Sequence, residues 1–343
     1  MMSLDSMTPA RRLIWAVLAC ALLMAILASL LLGAGQFGPG QSLAYLLGDA
    51  GERANAQLDM VMMTLRLPRT VSALMVGGAL GLSGCLMQAV TRNPLAEPGL
   101  MGVNGGSALG VVIGISWAGI QTGLGYLVFA ALGALVGNLC VLGLAHATRH
   151  ADAPLRLVLA GAALGATFHG LSASLLLASP NSLDQYRFWS QGSFSGVNLS
   201  QVAWVAPAML IGIVAAAVLH KPLSALQLGD DMAQSLGHRP GPLRAATILT
   251  VTLLTGGAVA LAGPIGFVGL VAPFAARKLA PPRLGSQLFA AAWLGALLLL
   301  VADEAIRVLM QPYETPVGVL TAILGTPLLI WMARQGRIER GMQ

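Results

Sequence analysis

Charge is what this chain has least of. Of its 343 residues only 9% are Asp, Glu, Lys or Arg, against roughly 25% in an average soluble domain. So few charges cannot cover a water-facing surface, which excludes a soluble globular fold. Lysine is scarcer still: Lys221 and Lys278 are the only two. A phosphate-binding loop needs Gly-Lys-Ser/Thr, with its lysine on the terminal phosphates. Lys221 follows His220 and Lys278 follows Arg277, so nucleotide hydrolysis within the chain is excluded. The three cysteines, Cys20, Cys85 and Cys140, stand in apolar stretches without C-x-x-C spacing, and imply neither a disulfide framework nor a metal site. No nucleophile elbow, H-E-x-x-H or paired-carboxylate motif is present. Ion-coupled transport would need carboxylates at membrane depth. All thirteen acidic residues fall in expected loops or at span ends, with Asp303 and Glu304 nearest the interior. That weakens an ion-coupled secondary transporter, which stays as the competing class. A membrane scaffold that transports nothing is a third.

What the chain has is apolar length. Hydrophobic residues make up 56%, and the mean hydropathy is +0.78. A helical span takes about 20 mainly apolar residues. Ten spans are predicted, at 12–35, 67–91, 100–117, 123–147, 155–178, 201–220, 243–262, 264–280, 286–303 and 317–333. The expected fold is an all-α membrane protein in one domain over 1–343, with a polar loop at about 220–242. Residues 179–200 are amphipathic and suit a short interfacial helix. The first span is read as uncleaved, because no small-residue cleavage site follows it promptly.

Basic residues orient the drawing. With the N-terminus inside, fourteen of the nineteen Lys and Arg fall on the cytoplasmic side and five on the other. Cytoplasmic loops carry such an excess, and both termini are placed inside. The 42 glycines run through the spans. Gly77, Gly78, Gly81 and Gly84 lie on or near one face of the second span, where small residues let helix backbones approach in lipid. The run Gly-Gly-Ala-Leu-Gly-Leu-Ser-Gly in that span is loosely echoed at Gly256–Gly263 in the seventh, which runs the opposite way. An inverted repeat leaves such a trace.

The remaining chemistry sits at helix ends. Arg66, Arg69 and Arg307 fall on the external side. A guanidinium fork suits carboxylates, so three at one rim could receive acidic residues of a soluble partner. Snorkelling to lipid headgroups is the alternative. At the other side, Asn93-Pro94-Leu95 forms a tight turn after the second span. The loop SALQLGDDMAQSLGHRPGP places Gly229, Asp230 and Asp231 before a short helical stretch ending at Leu236 and Gly237. Acidic residues suit a helix start and glycine suits its end, giving either a docking element or an ordinary amphipathic linker. His169, inside the fifth predicted span, is the one histidine at membrane depth. It is a candidate by position, against a packed or pore-facing histidine without chemistry.

Several long motifs then point one way. LRLPRT at 65–70, TRNPLAEPGLMGVNGG at 91–106, LAGAALG at 159–165 and FWSQGS at 188–193 occur in order. LGDDMAQSLG at 228–237, GPIGFVGLVAP at 263–273 and PVGVLTAILGTPLLIW at 316–331 follow. With them the chain resembles, essentially end to end, a permease subunit of the bacterial ABC importers for iron-siderophores, haem and vitamin B12. The resemblance implies a type II importer permease in the inner membrane, with ten helices per subunit. It implies a dimer with a second permease, identical or related, around one central pathway. Two ATPase subunits would sit on the cytoplasmic side, holding ATP and Mg²⁺, with no cofactor in this chain. A periplasmic binding protein would dock outside. Arg66, Arg69 and Arg307 match external arginines that receive its glutamates. Asn93 and Leu95 match a turn of the cytoplasmic gate. Gly229, Asp230, Asp231, Leu236 and Gly237 match the element that engages the ATPase. Two positions depart from the pattern. Phe274 stands where many relatives have histidine. A second gate loop reads Asp152-Ala153-Pro154, where some relatives are polar. The wording of TRNPLAEPGLMGVN and Arg187-Phe188-Trp189 favours an iron chelate as cargo, with haem and then B12 as alternatives.

Overall fold

The computed structural model describes residues 9–33, 37–147, 153–178, 180–310 and 315–341. Every regular element among them is a helix. Helix α1 (Pro9–Leu31) leads into three short helices, α2 (Pro39–Leu47), α3 (Ala50–Arg53) and α4 (Ala56–Met60). A widened π turn, Val61–Arg66, then runs into α5 (Leu67–Thr91). Pro68 cannot donate to the Thr64 carbonyl, and the wide turn lies just before it. The chain continues through α6 (Val103–Ala118), α7 (Gly123–Ala147), α8 (Ala153–Leu177), α9 (Pro180–Ser190) and α10 (Leu199–Gln227). The last elements are α11 (Asp230–Ser235), α12 (Pro240–Ala262), α13 (Val268–Leu279), α14 (Leu284–Leu309) and α15 (Val317–Gly341).

Among the described residues seven helices are long and apolar enough to cross a membrane. The shorter α6, α13 and the apolar part of α15 fill the other three expected places among the described residues. Two helices form the centre. In the most apolar windows of the spans containing α5 and α12, 78% and 72% of residues are buried, against 11% in α1 and 28% in α10. Helix α5 packs on α14, α12, α13 and α10.

Glycine makes that packing possible. A Cβ at Gly77 would overlap the Gly295 carbonyl, one at Gly81 the Ala291 carbonyl, and one at Gly84 the Gly269 carbonyl. These residues share one face of α5, three and four positions apart. Lipid gives helices no hydrophobic reason to associate, so close backbone contact supplies the attraction instead. A second seam joins α6 to α7 through Gly106, Gly110 and Gly133.

Two spans are cut short inside the bundle. Gly102, at the start of α6, packs beside Gly137 and Val141 of α7. Helix α7 continues to Ala147, about 9 Å further at 1.5 Å per residue. Helix α13 starts at the level of Leu80 and Gly84, where Gly269 meets both α5 residues. That point is about 20 Å along α5 from Leu67. The residue before each short helix has the same left-handed backbone, φ 76° at Gly102 and φ 69° at Phe267. Helices α5 and α12, which precede the two breaks, run in opposite directions. The pairing of breaks is the inverted-repeat pattern expected from the glycine echo. The two irregular segments also touch, since the Phe267 N–H donates to Glu97 Oε1 at 2.8 Å.

Candidate functional site

At one end of the bundle three arginines gather, and they do not form the open rim that their positions suggest. Arg66 is 2% exposed, Arg69 9% and Arg307 8%. The Arg66 guanidinium donates to the carbonyls of Leu30 and Leu31, both at 2.9 Å, to Ser42 Oγ at 2.7 Å and to the Phe37 carbonyl at 3.3 Å. Arg307 donates to Ser29 Oγ at 2.7 Å and to the carbonyls of Ser29 and Leu32 at 3.3 Å. The final carbonyls of a helix have no partner within it, and its C-terminus carries partial negative charge. Two guanidiniums therefore cap α1. Arg69 grips Asp303 with Nε and Nη2, at 2.9–3.1 Å. Asp303 also lies 3.1 Å from Arg307 Nε. The forks expected to wait for a partner's carboxylates are thus engaged by the chain's own acceptors.

The other end carries the turn and the short helix. Arg92 closes α5 with φ 51°. Asn93 Oδ1 accepts the Leu95 N–H at 3.0 Å, an Asx turn that leaves Leu95 exposed at its tip. Helix α11 ends as its glycine suggests. The Gly237 N–H reaches the Gln234 carbonyl, and the His238 N–H reaches that of Ala233, which is a Schellman closure. Gly237 has φ 82° and Gly229 φ 126°. Asp231, Met232 and Leu236 face outward, and Ala233 is buried.

Asp230 points the other way, into the bundle end. Its Oδ1 accepts from Arg92 Nη2 at 2.6 Å and from Arg244 Nη2 at 2.6 Å, and its Oδ2 accepts from Arg244 Nη1 at 2.9 Å. Arg92 also donates to the Leu226 carbonyl at the end of α10. Hydrogen bonds from Arg244, with a smaller share from Arg92, hold the Asp230 carboxyl below the usual carboxylate range. A depressed folded-state pKa gives stability that is complete above the unfolded-state value and lost as pH falls through the folded one. Asp230→Asn should therefore lower the thermal midpoint at about pH 7. The gap to the unaltered chain should shrink as pH falls below about 4, where the carboxyl protonates. A gap that widens in acid would contradict this clamp.

Other expected residues fall as follows. His169 is exposed on α8. Phe274 meets Trp331 edge-on at 5.7 Å, and Lys278 Nζ lies 4.6 Å and 4.9 Å from the two ring centres. That cation–π cluster ties α13 to α15. Asp152 of the second gate loop lies outside the described residues. Among the described residues no group of three or more His, Cys, Asp or Glu lies together to hold a metal ion.

Sequence reasoning missed three contacts: Asp303 under two arginines, the Arg92–Asp230–Arg244 clamp, and Glu97 on Phe267. Only the Asp303–Arg307 spacing, four apart on a helix, was a usable signal.

The chain is similar to known proteins. The ferric enterobactin transport system permease protein FepD of Escherichia coli is 40% identical over 275 residues, 80% of this chain and 82% of the relative. The vitamin B12 import system permease protein BtuC of Salmonella paratyphi A is 37% identical over 287 residues, 82% of this chain and 86% of the relative. A solved inward-facing conformation of a metal-chelate type ABC transporter superposes with a TM-score of 0.80 at 27% identity, over 94% of this chain and 99% of that one. The sequence pattern of the FecCD transport family spans residues 21–335, and the chain belongs to that family as a multi-pass membrane permease of an ABC importer.

Proposed function

We propose that this permease carries an iron-siderophore chelate from periplasm to cytoplasm across the inner membrane. The observation that carries the transport step is the meeting of two interrupted spans at Glu97 and Phe267. Broken helices at a repeat interface give a membrane bundle two arrangements about a fixed centre. The excess of basic residues supports placing the Asp230 end in the cytoplasm and the Arg66 end outside. The chain works with a second permease subunit, and ATP and Mg²⁺ are held by two separate ATPase subunits. A ligand shifts only an equilibrium whose states it binds differently, so ATP and the loaded binding protein each favour one arrangement. On the cytoplasmic face Asp231 and Met232 of α11, with Leu236 just after it, meet the ATPase, and Gly229 and Gly237 fix the bends. Asn93 and Leu95 form part of the cytoplasmic gate.

The cargo rests on relatives. The ferric enterobactin permease matches at 40% and the B12 permease at 37%, so the lean toward iron comes mainly from motif wording. The test is uptake into vesicles holding the permease, its ATPase and candidate binding proteins. ATP-dependent entry of a radio-iron siderophore is expected. Entry of haem or cobalamin instead would replace the cargo. Entry that needs no ATPase and collapses with an ion gradient would replace the mechanism.

A further inference from the structure

We propose that Asp230 is a positioning residue that joins the ATPase-contacting helix to the gate turn. The inference rests on the transport reading above. Four helix ends converge on this one carboxylate. Arg92 is the closing residue of α5 and immediately precedes Asn93. Arg244 rises from the first turns of α12 and is 7% exposed. Asp230 itself begins α11, and the Leu226 carbonyl that shares Arg92 belongs to the last turn of α10. A six-residue helix has little stability of its own. Ala233 is the only buried side chain of α11, so hydrophobic packing holds it weakly. Its attachment to the bundle end comes from the three charge-assisted bonds of Asp230, which are stronger than neutral ones; the Schellman closure only shapes the end of α11.

The geometry gives those bonds a direction. Met232 on α11 and Leu236 just after it are 50% and 57% exposed, where a partner can push. Displacement of α11 moves Asp230, and Arg92 moves with it. Arg92 is continuous with the Asn93–Leu95 turn, whose shape is fixed by the Asn93–Leu95 bond. On its other side α5 is seated backbone-to-backbone on α13 and α14 through Gly84, Gly81 and Gly77. That seam cannot compress, so movement entering at Arg92 is passed on by a rigid element. Arg244 supplies the counter-anchor on α12, the central helix of the opposite half.

A purely structural clamp and a linking clamp differ in what they predict. The test uses the complete reconstituted importer and reads substrate delivered per ATP hydrolysed. Asp230→Asn should lower that ratio by about tenfold or more, the loss matching one charge-assisted hydrogen bond. Arg92→Gln should lower it comparably. If the two act through each other, the double variant is no worse than either alone, and Asp230→Glu recovers part of the ratio. Should Asp230→Asn fail to assemble, Arg92→Gln and Asp230→Glu carry the same comparison from outside and within the loop. An unchanged ratio, uptake and hydrolysis falling in step, or losses that multiply in the double variant would each overturn the link. Absence of ATP-driven uptake in the unaltered complex would instead overturn the transport reading itself.

Discussion

Gly84→Ala is expected to leave little folded permease in the membrane, while Gly78→Ala on the same helix is expected to be tolerated. The two positions are six residues apart in α5, and the substitution is the smallest possible. At Gly84 the new Cβ overlaps the carbonyl oxygen, carbon and Cα of Gly269. These are backbone atoms, and no rotamer change moves them aside. At Gly78 the nearest atom, the Ala292 carbonyl oxygen, is 3.6 Å away, an ordinary contact. Overpacking usually costs about 1–3 kcal/mol and more where backbone must shift. Gly84 belongs to the upper end, because relief requires separating α5 from α13 or reshaping the break that starts α13. Helix propensity acts in the other direction, since alanine is favoured over glycine by about 1 kcal/mol in a helix interior. Gly78→Ala therefore comes out neutral or slightly stabilising. Membrane yield of monodisperse protein and its thermal midpoint in detergent distinguish the two. Equal behaviour at both positions would mean that α5 and α13 do not touch as closely as Gly84 indicates.

Hydropathy located the helices that are uniform and mislocated those that are not. The span expected at 67–91 is α5 to the residue, and 123–147 is α7. Both are continuous apolar helices with polar ends. The span expected at 264–280 begins instead at Val268. Residues 263–267 are as apolar as a helix, and what breaks them is backbone geometry at Gly263, Pro264 and Phe267. Phe267 holds its left-handed backbone while its ring fills the notch left by Gly325, a contact 58 positions away that no local pattern contains. The span expected at 286–303 runs on to Leu309. Asp303, Glu304 and Arg307 looked like a helix ending in water, yet Asp303 and Arg307 are buried against each other and Arg69. The site residues divide in the same way. Gly237 as a helix terminator was legible because capping is local. The direction of Asp230 was not, because its partners Arg92 and Arg244 lie 138 and 14 positions away. The short helix within 179–200 was legible from its amphipathic character and is α9.

Asp303→Ala is expected to be far more damaging than Arg69→Gln, although the two residues bind each other. Asp303 is 1% exposed and is the carboxylate that serves both Arg69 and Arg307. Its removal leaves two buried guanidiniums facing each other with Arg66 nearby. Breaking a buried pair by deleting one partner costs about 3–5 kcal/mol, because the surviving charge stays buried and uncompensated. Arg69→Gln is milder, since Asp303 keeps Arg307, and the loss is that of charged hydrogen bonds, about 1.5–3 kcal/mol. The double variant Asp303→Ala with Arg69→Met should recover part of the loss, because the charge left without a partner goes too. Unfolding midpoints in detergent measure all three, and equal losses from the two single variants would reject this asymmetry. If the arginine end receives a binding protein, as proposed above, the same cluster sets the terms. The forks are occupied by Asp303, Ser42 Oγ and the α1 carbonyls, so an incoming carboxylate and Asp303 are alternatives for the same donors. Asp303→Asn weakens the internal claim without emptying the site. It should therefore tighten docking of an acidic-faced binding protein while lowering the stability of the free permease. Opposite signs in one variant follow only if the arginines serve both tasks. Docking that is unchanged would confine Arg66, Arg69 and Arg307 to holding α1 and α14 to the centre.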